Sequence, residues 1–198
     1  MTKTRLEAFS DAVIAIIMTI LVLELKVPHE PSLEALEPIL PVFLTYVMSF
    51  IYLGIYWNNH HHMMHAVDRV NGAVLWANMH LLFWLSLIPF VTGWMGENHF
   101  APLPTALYGG VLLLAAISYT ILQTTIIRAN GPHSKLRMAV GGDRKGKLSM
   151  LLYAAALPLA FANQWISDAI YAGVALMWLV PDRRIERTLN DDRVRREM

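Results

Sequence analysis

No cysteine occurs among the 198 residues, and only 16% of them are charged, where a soluble domain carries about 25%. The first absence excludes disulfides, thiolate metal sites and cysteine nucleophiles. The second leaves too little charge to clothe a water-soluble surface. Signature loops are missing as well. There is no Walker loop, no G-x-G-x-x-G and no G-x-S-x-G, so phosphoryl transfer, dinucleotide redox chemistry and acyl hydrolysis have no foothold. An Arg-rich voltage-sensing helix is absent. So is the Thr-Val-Gly-Tyr-Gly filter, for which Tyr108-Gly109-Gly110 is no substitute. No paired acids sit at mid-span, as a proton-coupled pump would want. The chain is not read as an enzyme, and no cofactor or nucleic-acid partner is implied.

What is present is apolar: 56% hydrophobic residues and a mean hydropathy of +0.43, with the charge gathered in blocks. That places the chain among integral membrane proteins. A hydrocarbon core of about 30 Å needs roughly 20 apolar residues in helix. Runs of this kind cover residues 6–27, 39–57, 70–94 and 105–127, with two shorter ones at 148–162 and 166–180. Pro28 ends the first, which is too long and too polar at its start for a cleaved signal peptide. Asn163-Gln164-Trp165 reads as a tight turn between the last two. These could be two tilted spans or a re-entrant hairpin, and the flanking charges favour two spans.

The expectation is therefore an all-α membrane domain of six transmembrane helices over residues 1–198. With the N-terminus inside, fifteen of the sixteen Lys and Arg fall on the cytoplasmic side and Lys26 alone outside. Both termini are then cytoplasmic by the positive-inside rule. The segment 128–147 becomes a solvated cytoplasmic loop, and 183–198 a charged cytoplasmic tail.

Charge inside a span asks for an explanation. The first helix carries Arg5, Glu7, Asp11 and Glu24. At 100° per residue, Ile20 and Leu23 lie within about 40° of Ile16, Thr19 about 60° to one side, and Asp11 about 140° away. If Ile16 faces a pathway, Asp11 faces neighbouring helices and needs donors there. Trp57, His60, His61, Trp76 and Asn78 stand at a similar depth. A second possibility is metal chemistry. His61 and His65 share a helical face and could hold zinc with Asp68, or they could sense pH.

The string Arg5-x-x-x-Phe9-Ser10-Asp11, running into Ile14-Ala15-Ile16 and Thr19-x-Leu21-Val22-Leu23, resembles the start of a known family. Val27-Pro28, Ser49-Phe50, Trp57-x-x-His60-His61, Leu75-Trp76-x-Asn78 and Pro89-Phe90 extend the match over about residues 1–94. The family comprises prokaryotic relatives of the lysosomal potassium channel transmembrane protein 175. The resemblance implies a homotetramer in the plasma (inner) membrane, with the first helix of each subunit lining a central potassium-permeable pore that has no carbonyl filter. It puts the narrowest apolar constriction at Ile16, with Ile20 and Leu23 further outward on the same face and Thr19 at a position tied to selectivity. It assigns Arg5, Phe9, Ser10 and Asp11 to a packing network with His60, Trp76 and Asn78. Glu24, about 80° from Ile16, could form an acidic ring at the outer mouth or simply pair with Lys26. The competing function is a histidine-dependent secondary transporter or metal-ion carrier.

Overall fold

The computed structural model describes residues 2–131 and 134–179, so the charged tail lies outside the described residues. These residues form α1 (Lys3–Leu23), a short 3-10 helix (Glu34–Ile39), α2 (Leu40–His65), α3 (Gly72–Ser86), α4 (Ile88–Glu97), α5 (Pro102–Asn130), α6 (Lys135–Val140) and α7 (Arg144–Leu179). Five helical stretches are long and apolar enough to cross a membrane: 3–23, 34–65, 72–97, 102–130 and 144–179. The fifth is not one rod. At Asn163 the backbone is extended (φ −160°, ψ 107°), and the chain doubles back. Ser167 Oγ donates to the Ala156 carbonyl at 2.7 Å, Trp178 Nε1 to Ser149 Oγ at 2.8 Å and Lys145 Nζ to the Met177 carbonyl at 3.4 Å. Those pairings belong to two antiparallel arms, 144–162 and 164–179.

Chain chemistry sets most boundaries. Pro102 opens α5, where its missing N–H costs nothing, and Gly131 closes it at φ 91°. The run read as one span over 70–94 breaks at Leu87, because Pro89 cannot donate to the turn before it and its ring crowds that turn. Two expected limits need correction. The first helix ends at Leu23, short of Val27. The second continues two turns past Trp57 to His65, since nothing from Asn58 to His65 breaks a helix.

α5 is the central post, packed against α3, α4 and α7, while α1 leans on α2, α3 and α4. The bundle has a basic end and an acidic end. At the first, Lys3 Nζ donates to the His65 carbonyl at 3.0 Å, and Asn130 Oδ1 accepts from the backbone of Asp68 and Arg69 at 3.1 and 2.7 Å. At the second, Lys26 pairs with Glu97 at 2.6 Å.

Candidate functional site

α1 divides cleanly into two faces. Leu6, Ser10, Ile14, Ile17 and Leu21 are buried, a spacing of three to four residues that forms one stripe against the bundle. The opposite stripe is uncovered: Ile16 is 57% exposed, Ile20 39% and Leu23 78%. Thr19 lies on the same side, and its hydroxyl donates to the Ile16 carbonyl at 2.8 Å. That bond uses the hydroxyl proton and leaves the oxygen lone pairs facing outward. The uncovered face is thus an apolar strip with one hydroxyl oxygen set into it, free to accept.

The buried stripe is tied down by polar groups. Ser10 Oγ donates to the Leu6 carbonyl at 2.9 Å, so it can accept from Asn78 Nδ2, also at 2.9 Å. Asn78 Oδ1 must then accept, and His60 Nε2 supplies the proton at 2.8 Å. The order His60 to Asn78 to Ser10 to Leu6 fixes both the amide orientation and the imidazole tautomer. All three side chains are buried, and they belong to α2, α3 and α1. Beside them, Asp11 Oδ1 accepts from Trp57 Nε1 at 3.1 Å, which places the acid toward α2 and off the exposed strip. Arg5, Phe9 and Trp76 stand outside this network: Phe9 is 44% and Trp76 78% exposed, and Arg5 is exposed too. Trp76 points away because it lies two positions before Asn78, on the other side of α3.

A further cluster escaped the sequence reading. Tyr108 donates to Ser49 at 3.0 Å, Ser49 to Thr92 at 2.6 Å and Thr92 to the Ile88 carbonyl at 2.6 Å. That order follows because Thr92 spends its proton on the backbone. Its signal was present as isolated hydroxyls inside apolar runs, which need partners on other helices.

At the acidic end, Glu24 makes no ion pair with Lys26 and acts on it only through its charge. The Glu24 carboxylate lies over α4, where a Cβ added at Gly93 would be 2.8 Å from Oε2. Lys26 is instead held by Glu97 at 2.6 Å, whose hydrogen bond and charge raise the ammonium's pKa above the usual lysine value. Glu24, the residue that follows α1, is itself exposed.

Within the histidine run, His61 meets His62 edge-on at 5.8 Å between centroids and pairs with His65. His61 Nε2 and His65 Nε2 are 3.0 Å apart, with Trp57 stacked on His61 at 6.1 Å between centroids. Among the described residues no group of three or more His, Cys, Asp or Glu side chains converges as a metal site would require.

With this geometry in hand, the similarities to known proteins are direct. The family model described as endosomal/lysosomal potassium channel TMEM175 matches residues 5–89. A potassium channel of Chryseobacterium sp. (strain P1-3) is 54% identical over 192 residues, covering 97% of this chain and all of the relative. A potassium channel of Chamaesiphon minutus is 30% identical over 178 residues, covering 84% of this chain and 88% of the relative. The crystal structure of a lysosomal potassium-selective channel TMEM175 homologue from Chamaesiphon minutus superposes with a TM-score of 0.77 at 28% identity, over 91% of this chain and 97% of that one.

Proposed function

The chain belongs to the TMEM175 potassium-channel family, and from that premise we propose that four copies surround a central pore lined by the exposed strip of α1. On this reading Ile16 forms the narrowest ring, Ile20 and Leu23 continue it outward, and Thr19 contributes four oxygens beside the constriction. The two arms of α7 each cross the bilayer: at 1.5 Å per residue they rise about 28 and 24 Å, enough for a locally thinned core. Six crossings put both termini on the cytoplasmic side of the plasma membrane. The observation that carries the proposal is the contrast between the two faces of α1. One is sealed and pinned by Ser10, Asn78 and His60, and the other is apolar and uncovered.

An isoleucine ring cannot replace a hydration shell as backbone carbonyls do. An ion passing it must shed part of its water or carry that water through. Potassium holds water less tightly than sodium, so its barrier is lower, and discrimination is modest because nothing at Ile16 rewards either ion. The test is flux of potassium against sodium through purified protein in liposomes, comparing wild type with Ile16→Ala and Ile16→Asn. Wild type should prefer potassium, and both variants should conduct faster with that preference weakened. Unchanged flux in both would remove α1 from the pathway. Dependence on His61 or His65 with saturating kinetics would then point to a carrier built on the histidine pair.

A further inference from the structure

Away from α1, a cavity of about 50 Å³ opens between α2, α5 and α7. It runs from Asp143 and Gly146, at the basic end, to Tyr52 and Tyr153 deeper in the bundle. Four tyrosine rings, Tyr52, Tyr56, Tyr119 and Tyr153, contribute to its walls. They come in two angled pairs: Tyr52 and Tyr153 at 6.4 Å between centroids and 58°, Tyr56 and Tyr119 at 6.2 Å and 63°. Three of the rings are fixed by their hydroxyls. Tyr153 donates to Tyr52 at 3.2 Å, Tyr52 to the Tyr171 carbonyl at 2.6 Å and Tyr119 to the Asn59 carbonyl at 3.2 Å.

The cavity also has a sign. Asp143 is the one charged side chain among the described residues lining it, and one of its oxygens accepts from the Gly146 N–H at 3.1 Å. Asn59 gives one amide hydrogen to the Ile55 carbonyl at 2.8 Å, and its side-chain oxygen is an acceptor. One lining ring already sits beneath a cation: Lys145 Nζ stands 5.8 Å from the centroid of Trp178. Ring faces carry negative potential and bind cations, most strongly where water is excluded. Pockets between bundle helices with a few convergent polar groups are default ligand sites.

From this arrangement we infer that each subunit carries, separately from the pore-facing helix, a site for a small organic ammonium ion, its charge toward Asp143 and its alkyl part among the tyrosines. The natural absence of cysteine makes a direct test possible. Thr120→Cys and, independently, Ala116→Cys place a thiol on the cavity wall. Each variant, purified in detergent, is treated with a trimethylammonium-ethyl methanethiosulfonate or with neutral methyl methanethiosulfonate. In both reactions the thiolate displaces methanesulfinate and a mixed disulfide forms. The cationic reagent should gain about tenfold over the neutral one, relative to their rates on a free thiol in solution, as a cation–π site of moderate strength would give. Asp143→Asn should remove most of that gain. Tetramethylammonium should slow both reactions, whereas the near-isosteric neutral tert-butanol should not. Equal relative rates, equal protection by tert-butanol, or no reaction at either position would each overturn the site.

Discussion

Replacing Asn78 by alanine tests the pinning of α1 most sharply. Asn78 is fully buried and joins two helices to its own, donating to Ser10 on α1 at 2.9 Å and accepting from His60 on α2 at 2.8 Å. The two losses are unequal. Ser10 keeps its bond to the Leu6 carbonyl at 2.9 Å and gives up an incoming proton only. His60 is left with a buried N–H and nothing to receive it. An orphaned buried donor costs about 1–3 kcal/mol. An interhelical hydrogen bond in a membrane averages about 0.6 kcal/mol, because the unfolded helices find other partners in the bilayer. Together these give about 2–3 kcal/mol, with the larger share on the His60 side.

The assay is reversible unfolding of the purified protein in mixed micelles of mild detergent and dodecyl sulfate, run as a double-mutant cycle. Coupling of Asn78→Ala with Ser10→Ala should be near the membrane average of about 0.6 kcal/mol. Coupling with a His60 substitution should be larger, up to about 1.7 kcal/mol. Asn78→Asp should separate the two contacts, since an acid can still accept from His60 while its ionised form cannot donate to Ser10. Ser10 lies six residues before Ile16, about 9 Å along the helix, so loosening it should also shift flux through the proposed pore. Strict additivity across the cycle, or a cost under about 0.5 kcal/mol, would refute the chain of hydrogen bonds as the anchor of α1.

Three further outcomes follow from particular contacts. Glu24→Gln should lower inward potassium conductance in low salt and matter little in high salt, because an acidic mouth concentrates cations only where screening is weak; equal conductance in low salt would assign Glu24 to the surface alone. Gly109→Ala should destabilise the fold by about 1–3 kcal/mol, because its Cβ would collide with the Tyr171 ring, which Thr105 holds through a 3.2 Å hydrogen bond. Gly110→Ala meets only Leu157 at 4.0 Å and should be tolerated in the same unfolding assay. Asp168→Asn should leave the protein at least as stable as wild type, since both carboxylate oxygens are buried with no hydrogen-bond partner among the described residues and a bare buried charge costs more than an amide; a loss above about 1 kcal/mol in that assay would reveal a partner supplied from outside the described residues, by another chain or by a lipid.

The parts of the fold legible in the sequence were those with short-range causes. Asn163 marks a reversal because so few polar residues interrupt the arms around it, whereas the break before Pro89 inside the run over 70–94 and the helix end at Leu23, ahead of Pro28, escaped the hydropathy pattern. The two faces of α1 could be drawn on a helical wheel, since burial of Ile14, Ile17 and Leu21 repeats at the helical period. Hydropathy failed where polarity and helicity part company. Asn58 through His65 read as the water boundary, yet the helix continues through them, because imidazoles and amides at a membrane surface can bond without leaving the helix. Other misses concern partners rather than elements. Lys26 lies two residues from Glu24 and binds Glu97 across the bundle, a pairing that only the approach of α4 creates. The buried tyrosines of α2, α5 and α7 lie far apart in sequence, and their convergence is a property of the packing.

The two faces of α1 impose opposite demands, which explains why its polar residues sit where they do. A helix that lines a pathway has water on one side and protein on the other, so apolar burial can hold it from one side only. Between helices in a bilayer the hydrophobic effect offers little further drive, and packing with hydrogen bonds must supply the rest. The bonds from Ser10 and Asp11 are placed near the basic end, and the segment from Ile14 to Leu21 that faces the bundle is held by close packing alone. An anchored end and an apolar, bond-free middle allow small lateral shifts of Ile16 without breaking any polar contact. In the proposed four-fold ring such shifts would change the radius at every subunit together, and an apolar constriction loses its water abruptly as it narrows. On the proposed reading, the same placement of polar groups that fixes the helix in the bundle leaves its narrow ring free to gate.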